Sequence, residues 1–309
     1  MTFFRKEPQL ETLGDRILAE TWADFPALAR NSIALTWIVY DPPVPVNTGG
    51  ALSPLAFWGH SVRGFGYRGD ERIYPASVVK LFYLVAIYEW LDKRMSQTTK
   101  ELERAIKDMI VDSSNDATSL VVDILTGTTS GPQLPPAPFE TWKTQRNIVN
   151  RYFQSLGWEE LQTINVNQKT WGDGPYGRER MFVGELMDNR NMLTTNATAR
   201  LLHSIVGGVA VSATQSQVMM ALLKRSLTDL KSDEENQVTG FLGGGLPNSA
   251  KLWSKAGWTS KVRHDAAYIE IPGKQPYLLT VFIEGVASQN KTILPYISAK
   301  IAESVDKLA

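Results

Sequence analysis

The 309-residue chain is long enough to bury a large core, and its 43% apolar and 21% charged residues are ordinary for a soluble globular protein. Lys+Arg and Asp+Glu are both 32, so net charge offers no attraction to nucleic acid or to an acidic membrane surface. There is no cysteine and only three histidines (His60, His203, His264), which excludes thiolate metal sites and disulfides and argues against a histidine-rich metal centre.

Apolar residues Leu10, Leu13, Ile17, Leu18 and Trp22 recur near helical spacing and predict a helix over residues 9–30. The β-rich run Ser32–Tyr40 reads as a buried strand, stopped by Asp41-Pro42-Pro43, with a turn at Gly49-Gly50. Residues 56–62 and 64–67 read as further strands. A helix follows Pro75 and runs to about Leu91. Helices are then expected over Glu101–Asp112, Asp116–Leu125 and Phe139–Leu156, the last ended by Gly157. Residues 158–195 read as a long loop. Helices are expected from Thr194-Thr195-Asn196 through His203 and over Thr214–Leu230. Two strands flanking Pro272-Gly273 form a hairpin, and Ile293–Leu308 closes the chain as a helix.

Strands at both chain ends with helices between them predict an α+β fold, an antiparallel sheet flanked by helices with an inserted all-helical lobe. The expected division is residues 1–75 and 233–309 for the sheet lobe and 76–232 for the helical lobe. No apolar run can span a bilayer. The start, Met1–Pro8, lacks the apolar segment of a signal peptide, so the sequence read literally is cytoplasmic; a removed leader would place it in the periplasm.

Chemistry concentrates in three short segments. Ser77-Val78-Val79-Lys80 opens the helix after Pro75. A serine in the first helical turn feels the positive helix end, and a lysine three residues on shares its face. Burial lets such an amine lose its charge and accept the serine proton. A second Ser-x-x-Lys, Ser288–Lys291, lies in a polar stretch with no apolar run behind it. Ser113-Ser114-Asn115 joins two predicted helices and offers a hydroxyl and a carboxamide, or an N-cap, or both. Lys255-Ala256-Gly257-Trp258-Thr259 offers a cation, and a glycine that admits close approach of a backbone.

Together these segments resemble the serine β-lactamase and penicillin-binding protein superfamily, and class A β-lactamases in particular. Gly66–Ser77 is similar to the family's approach to its nucleophile, and Thr194–Leu202 to its helix after the omega loop. The resemblance implies a serine hydrolase acting through an acyl-enzyme. Ser77 would be the nucleophile, Lys80 its proton partner and Ser113 a proton relay. Asn115, Lys255, Gly257, Trp258 and Thr259 would bind substrate, with the N–H groups of Ser77 and Trp258 as oxyanion hole. It implies no cofactor and no metal, a small-molecule or peptide-like substrate, and a monomer. Ser114 replaces the acidic middle residue of the second motif, and Ala256 the hydroxyl residue that usually meets a substrate carboxylate; Thr259, Arg263 or His264 could compensate. Counting forward from Gly157 puts the deacylating glutamate near Gln168 or Lys169. Counting back from Thr195 puts it at Glu179, the expected base, with Glu185 as the alternative. A β-lactamase needs that base. A D,D-peptidase or esterase with slow deacylation does not, and a non-catalytic relative would need none of the set.

Overall fold

Seven strands form one sheet in the order β1 (Phe4–Lys6), β3 (Val62–Tyr67), β2 (Ile33–Val39), β7 (Tyr277–Glu284), β6 (Val262–Glu270), β5 (Lys251–Trp258) and β4 (Lys224–Arg225). This computed structural model describes residues 3–41, 52–229 and 236–305. The turn expected at Gly49-Gly50, the domain boundary at 232–233 and the last turn of the closing helix lie outside the described residues. Every pairing is antiparallel except β1 with β3. The two chain ends meet directly: Ile33 pairs with Ile283 and Val39 with Tyr277.

Both faces of the sheet are covered, which is why β2 is buried at all seven positions. On one face Trp37, Leu279 and Ile269 pack against α1 (Pro8–Asp24) and α11 (Ile293–Ser304) through Leu10, Ile17 and Ile297. On the other, Ile38, Tyr268 and Phe282 meet the helical layer. That layer comprises α3 (Lys80–Asp92), α4 (Lys100–Val111), α5 (Asn115–Thr126), α6 (Pro136–Arg146), α7 (Ile148–Ser155), α8 (Gly177–Val183), α9 (Thr195–Val206) and α10 (Ala213–Leu223). Helix α3 is buried all round from Lys80 to Ile87, as a helix at the centre of a helical layer must be.

The α+β architecture is the expected one, and several elements differ from expectation. Residues 54–58 form a short helix, α2 (Pro54–Trp58), where a strand was expected. Ser53 caps it through Ala56 N, Pro54 occupies its first turn and Phe57 is buried, so capping outweighs the β preference of the aromatics. The helix expected over 139–156 breaks at Asn147 into α6 and α7. The one expected over 214–230 ends at Leu223 because Lys224–Arg225 pair with β5, so two residues of the expected helical lobe belong to the sheet. The long loop contains α8. Strand β1 had no signal beyond three residues.

Candidate active site

Ser77 lies in a 3₁₀ turn, Ala76–Val79, that feeds α3. Ala76 ahead of it sits at φ +46°, a left-handed conformation costing an L-residue about 1–2 kcal/mol. Such outliers persist where surrounding structure enforces them. Here the enforcement is visible. His264 Nε2 lies 2.9 Å from the Tyr74 carbonyl, Val78 N donates to Pro75 O, and α3 is immobilised in the core. Ser77 itself is half-buried. Among the described residues its Oγ has no hydrogen-bond partner.

Lys80, one turn on, is fully buried. Its Nζ donates to the Ser113 carbonyl, to Ser113 Oγ at 3.2 Å and to Asn115 Oδ1 at 2.9 Å. No carboxylate neutralises it there, so burial pulls its pKa down to about 7. Lys255, also fully buried, approaches the same hydroxyl from the sheet side. Its Nζ donates to Ser113 Oγ at 2.9 Å, Gln237 Oε1 at 2.6 Å and Ala256 O at 2.7 Å. Burial lowers its pKa strongly, and the charge of Lys80 lowers it further. Ser113 therefore accepts from two amines at once, which fills both lone pairs and leaves its O–H to donate. Ser113 is held at φ +59°, a second left-handed non-glycine residue in the cluster. Ser114, the departure from the family pattern, is the N-cap of α5 through Ala117 N, and Asn115 opens that helix.

Strand β5 supplies the facing wall. A Cβ on Gly257 would lie 2.8 Å from Pro75 O, Ser77 N and Val78 N, so only glycine allows the strand this close to Ser77. Thr259 N donates to Val262 O, closing the hairpin. Alternation along the antiparallel pair then turns Ser254, Ala256 and Trp258 outward, toward the free edge. Two of these are visibly used there: Ala256 O takes Lys255, and Ser254 O takes Arg225. By the same alternation the Trp258 N–H points that way too. Thr259 is exposed, and its Oγ1 accepts from Lys261 N.

Ala256 is fully buried on the α11 face, opposite Asp265, so its side chain does not enter the cleft. Of the residues expected to compensate, His264 is buried and committed, its Nδ1 accepting from Ile283 N. Burial holds its pKa at about 4. Arg263 lines a cavity of about 320 Å³ with Trp258, Phe241 and Lys291 on that same face.

The expected base, Glu179, is in a different environment. It is fully buried in α8, and its Oε1 accepts from Arg146 Nη2 and from Ser130 Oγ at 2.8 Å. Lys169 Nζ stands 4.0 Å away and is itself paired with Asp123 at 2.7 Å. None of its contacts among the described residues is with Ser77, Lys80, Ser113 or Asn115. Glu179 thus ties the loop to α6 and to the segment that follows α5. Charge in a loop suggested a solvated or catalytic glutamate, and the buried partner Arg146, thirty-three residues away, gave no local signal. Glu185 is exposed. The position reached by forward counting lies against α3: Tyr83 Oη donates to Gln168 O at 2.5 Å, and Asn191 binds the Gln168 N–H and C=O. An amide and a lysine occupy that stretch.

Two residues of the cluster had no motif to mark them. Gln237 bridges Lys255 to the Val111 carbonyl through its Nε2. Arg225, in β4, donates to Ile110, Val111 and Ser254 carbonyls and so clamps the end of α4 to β5.

The fold and this arrangement define the class of serine β-lactamases and penicillin-binding proteins. A model of the beta-lactamase enzyme family matches residues 91–305, and the chain belongs to that family. Membership supports a hydrolase of the serine β-lactamase type. The matched span begins after Ser77 and Lys80. A β-lactamase from Sphaerobacter thermophilus shares 18% identity at a TM-score of 0.64, covering 95% of this chain and 98% of that one. PBP-A shares 17% at 0.64 over 98% of both chains. A mutant of PBP-A, solved as an acyl-enzyme complex with penicillin G, shares 16% at 0.65, again over 98% of both. A search of curated proteins finds no match.

Proposed function

We propose that the chain is a serine acyl-transfer enzyme that opens a β-lactam or a related amide or ester at Ser77 and releases the acyl group slowly. Neutral Lys80 takes the Ser77 proton as Oγ bonds to the substrate carbonyl carbon. The carbonyl oxygen gathers negative charge against the N–H groups of Ser77 and Trp258, each such donor contributing roughly 3–4 kcal/mol in the transition state. The C–N or C–O bond then breaks. Ser113 passes its proton to the leaving atom and is resupplied from the lysine pair. Asn115 and the outward edge of β5 hold the substrate chain.

The observation that carries the reading is Ser113 Oγ held between Lys80, one turn from Ser77, and Lys255, whose strand approaches Ser77 N at Gly257. A protein kept only for binding has no need of two buried, unneutralised amines, which cost several kcal/mol each if charged. Slow release is favoured by the engagement of Glu179 with Arg146 and by Gln168 and Lys169 in the loop segment beside α3. With no carboxylate among the described residues placed to activate water, the serine ester persists. A PBP-A mutant of similar fold has been solved as an acyl-enzyme complex with penicillin G. Peptide mapping after treatment with benzylpenicillin tests the assignment: the adduct belongs on the peptide containing Ser77, and Ser77→Ala abolishes it. A label on another serine would overturn the assignment.

A further inference from the structure

A second cavity, open to solvent, lies between the turn after β5, the end of β7 and the last part of the long loop, lined by Tyr74, Met187, Arg190, Thr259, Lys261 and Glu284 among others. Two of its lining residues adjoin the proposed acylation centre along the chain. Tyr74 is three residues before Ser77, and Thr259 directly follows Trp258. A substrate whose carbonyl sits against Ser77 and Trp258 and whose chain continues along β5 past Thr259 enters this cavity.

One side chain in it is unlike its counterparts. The Arg190 guanidinium carbon lies over the Tyr74 ring, 3.5 Å from its centroid, a cation–π contact that holds the guanidinium in place. Its backbone is also fixed, the N–H on Met187 O and the C=O taking Asn165 Nδ2 at 2.8 Å. Yet among the described residues the guanidinium donates no hydrogen bond and forms no ion pair. The more buried arginines are all matched: Arg63 by Asp41 and Glu7, Arg146 by Glu179, Arg200 by Glu160, and Arg225 and Arg263 by carbonyls. Lys261 adds a second unpaired cation, against the single carboxylate of Glu284, so the cavity carries a net positive charge. A planar, oriented fork of donors beside one further cation suits a carboxylate bound through two parallel N–H···O bonds.

We propose that Arg190 is a specificity-determining residue that binds a carboxylate on the acyl part of the substrate, so that the preferred substrates carry an acidic group beyond the scissile carbonyl. The proposal rests on acylation at Ser77. It is tested with two matched pairs of penicillins, their side chains glutaryl or adipyl and the corresponding neutral terminal amides. The readout is the second-order rate constant for acylation of the full chain, followed by intact mass. The carboxylate member of at least one pair is expected to react roughly tenfold faster, the ratio expected of one charge-assisted hydrogen-bonded pair. Arg190→Gln should bring that ratio near one by slowing the acid members more than the amides, and Arg190→Lys should restore part of it. A merely structural role for Arg190 would slow acid and amide alike, and that result overturns the proposal. So does an equal rate for acid and amide in the unaltered protein. If none of the four penicillins acylates Ser77, the reading of the site has failed, and this inference with it.

Discussion

Replacing Lys80 by methionine separates the cost of the buried amine from its use. Lys80 has its pKa lowered from 10.5 to about 7 by burial. Between those values the unfolded chain holds a proton that the folded chain does not, so stability rises with pH across that window. Carrying the amine therefore costs the folded state about 4 kcal/mol at pH 7 and almost nothing by pH 10.5. Methionine fills much of the same volume and removes that cost. It leaves Ser113 O and Asn115 Oδ1 without their donor, a loss of about 1–3 kcal/mol. The expected result is a Lys80→Met protein that is more stable than the parent by about 1–3 kcal/mol near pH 6. The advantage shrinks with rising pH and reverses between about pH 8 and 10, and acylation is lost throughout. Urea unfolding of both proteins at pH 6, 8 and 10 measures this. A stability difference that does not vary with pH would refute the claim that Lys80 is a depressed, unneutralised amine.

Other consequences follow from the same geometry. The acylation rate of the unaltered protein should rise with pH through about 7 as Lys80 loses its proton, which stopped-flow measurements between pH 5 and 9 would record; a rate falling over that range would rule out Lys80 as the base. Glu179→Gln should lower stability by about 3 kcal/mol, because it leaves the buried Arg146 charge with only Asp123, at 3.5 Å. The same variant should leave the lifetime of any acyl-enzyme unchanged, and a well-folded variant with a longer lifetime would return Glu179 to a role in deacylation. Gly257→Ala places a Cβ 2.8 Å from the backbone of Pro75, Ser77 and Val78. It should cut acylation by about 10²-fold through displacement of the oxyanion donors, with a smaller effect on melting temperature; an unaltered acylation rate would contradict the placement of β5 against Ser77.

Much of the site could be read from the sequence because its residues lie in short segments with strong local context. Ser77 and Lys80 share a helical turn, Ser113 and Asn115 one interhelical turn, and Lys255 and Gly257 one strand. What brings these segments together is not local. Gln237 and Arg225 act on carbonyls of residues more than a hundred positions away, and nothing near them in sequence marks that role. Glu179 shows the same limit from the other side. Its distance from Thr195 suited a catalytic base, whereas its environment was decided by Arg146 and Ser130, residues of the preceding helical segment. In the fold, long periodic helices and the apolar strands β2 and β7 were legible. Elements set by caps or by pairing, such as α2 and β4, were not, because five residues or two carry too little pattern.

The most direct test of slow release at Ser77 is a time course of intact mass after a brief exposure to benzylpenicillin followed by removal of the free drug. One covalently bound penicillin per chain, still present after hours and absent in Ser77→Ala, is the expected result. Return to the unmodified mass within seconds, with steady-state hydrolysis in the ordinary enzyme range of roughly 10⁴–10⁸ M⁻¹s⁻¹, would contradict it.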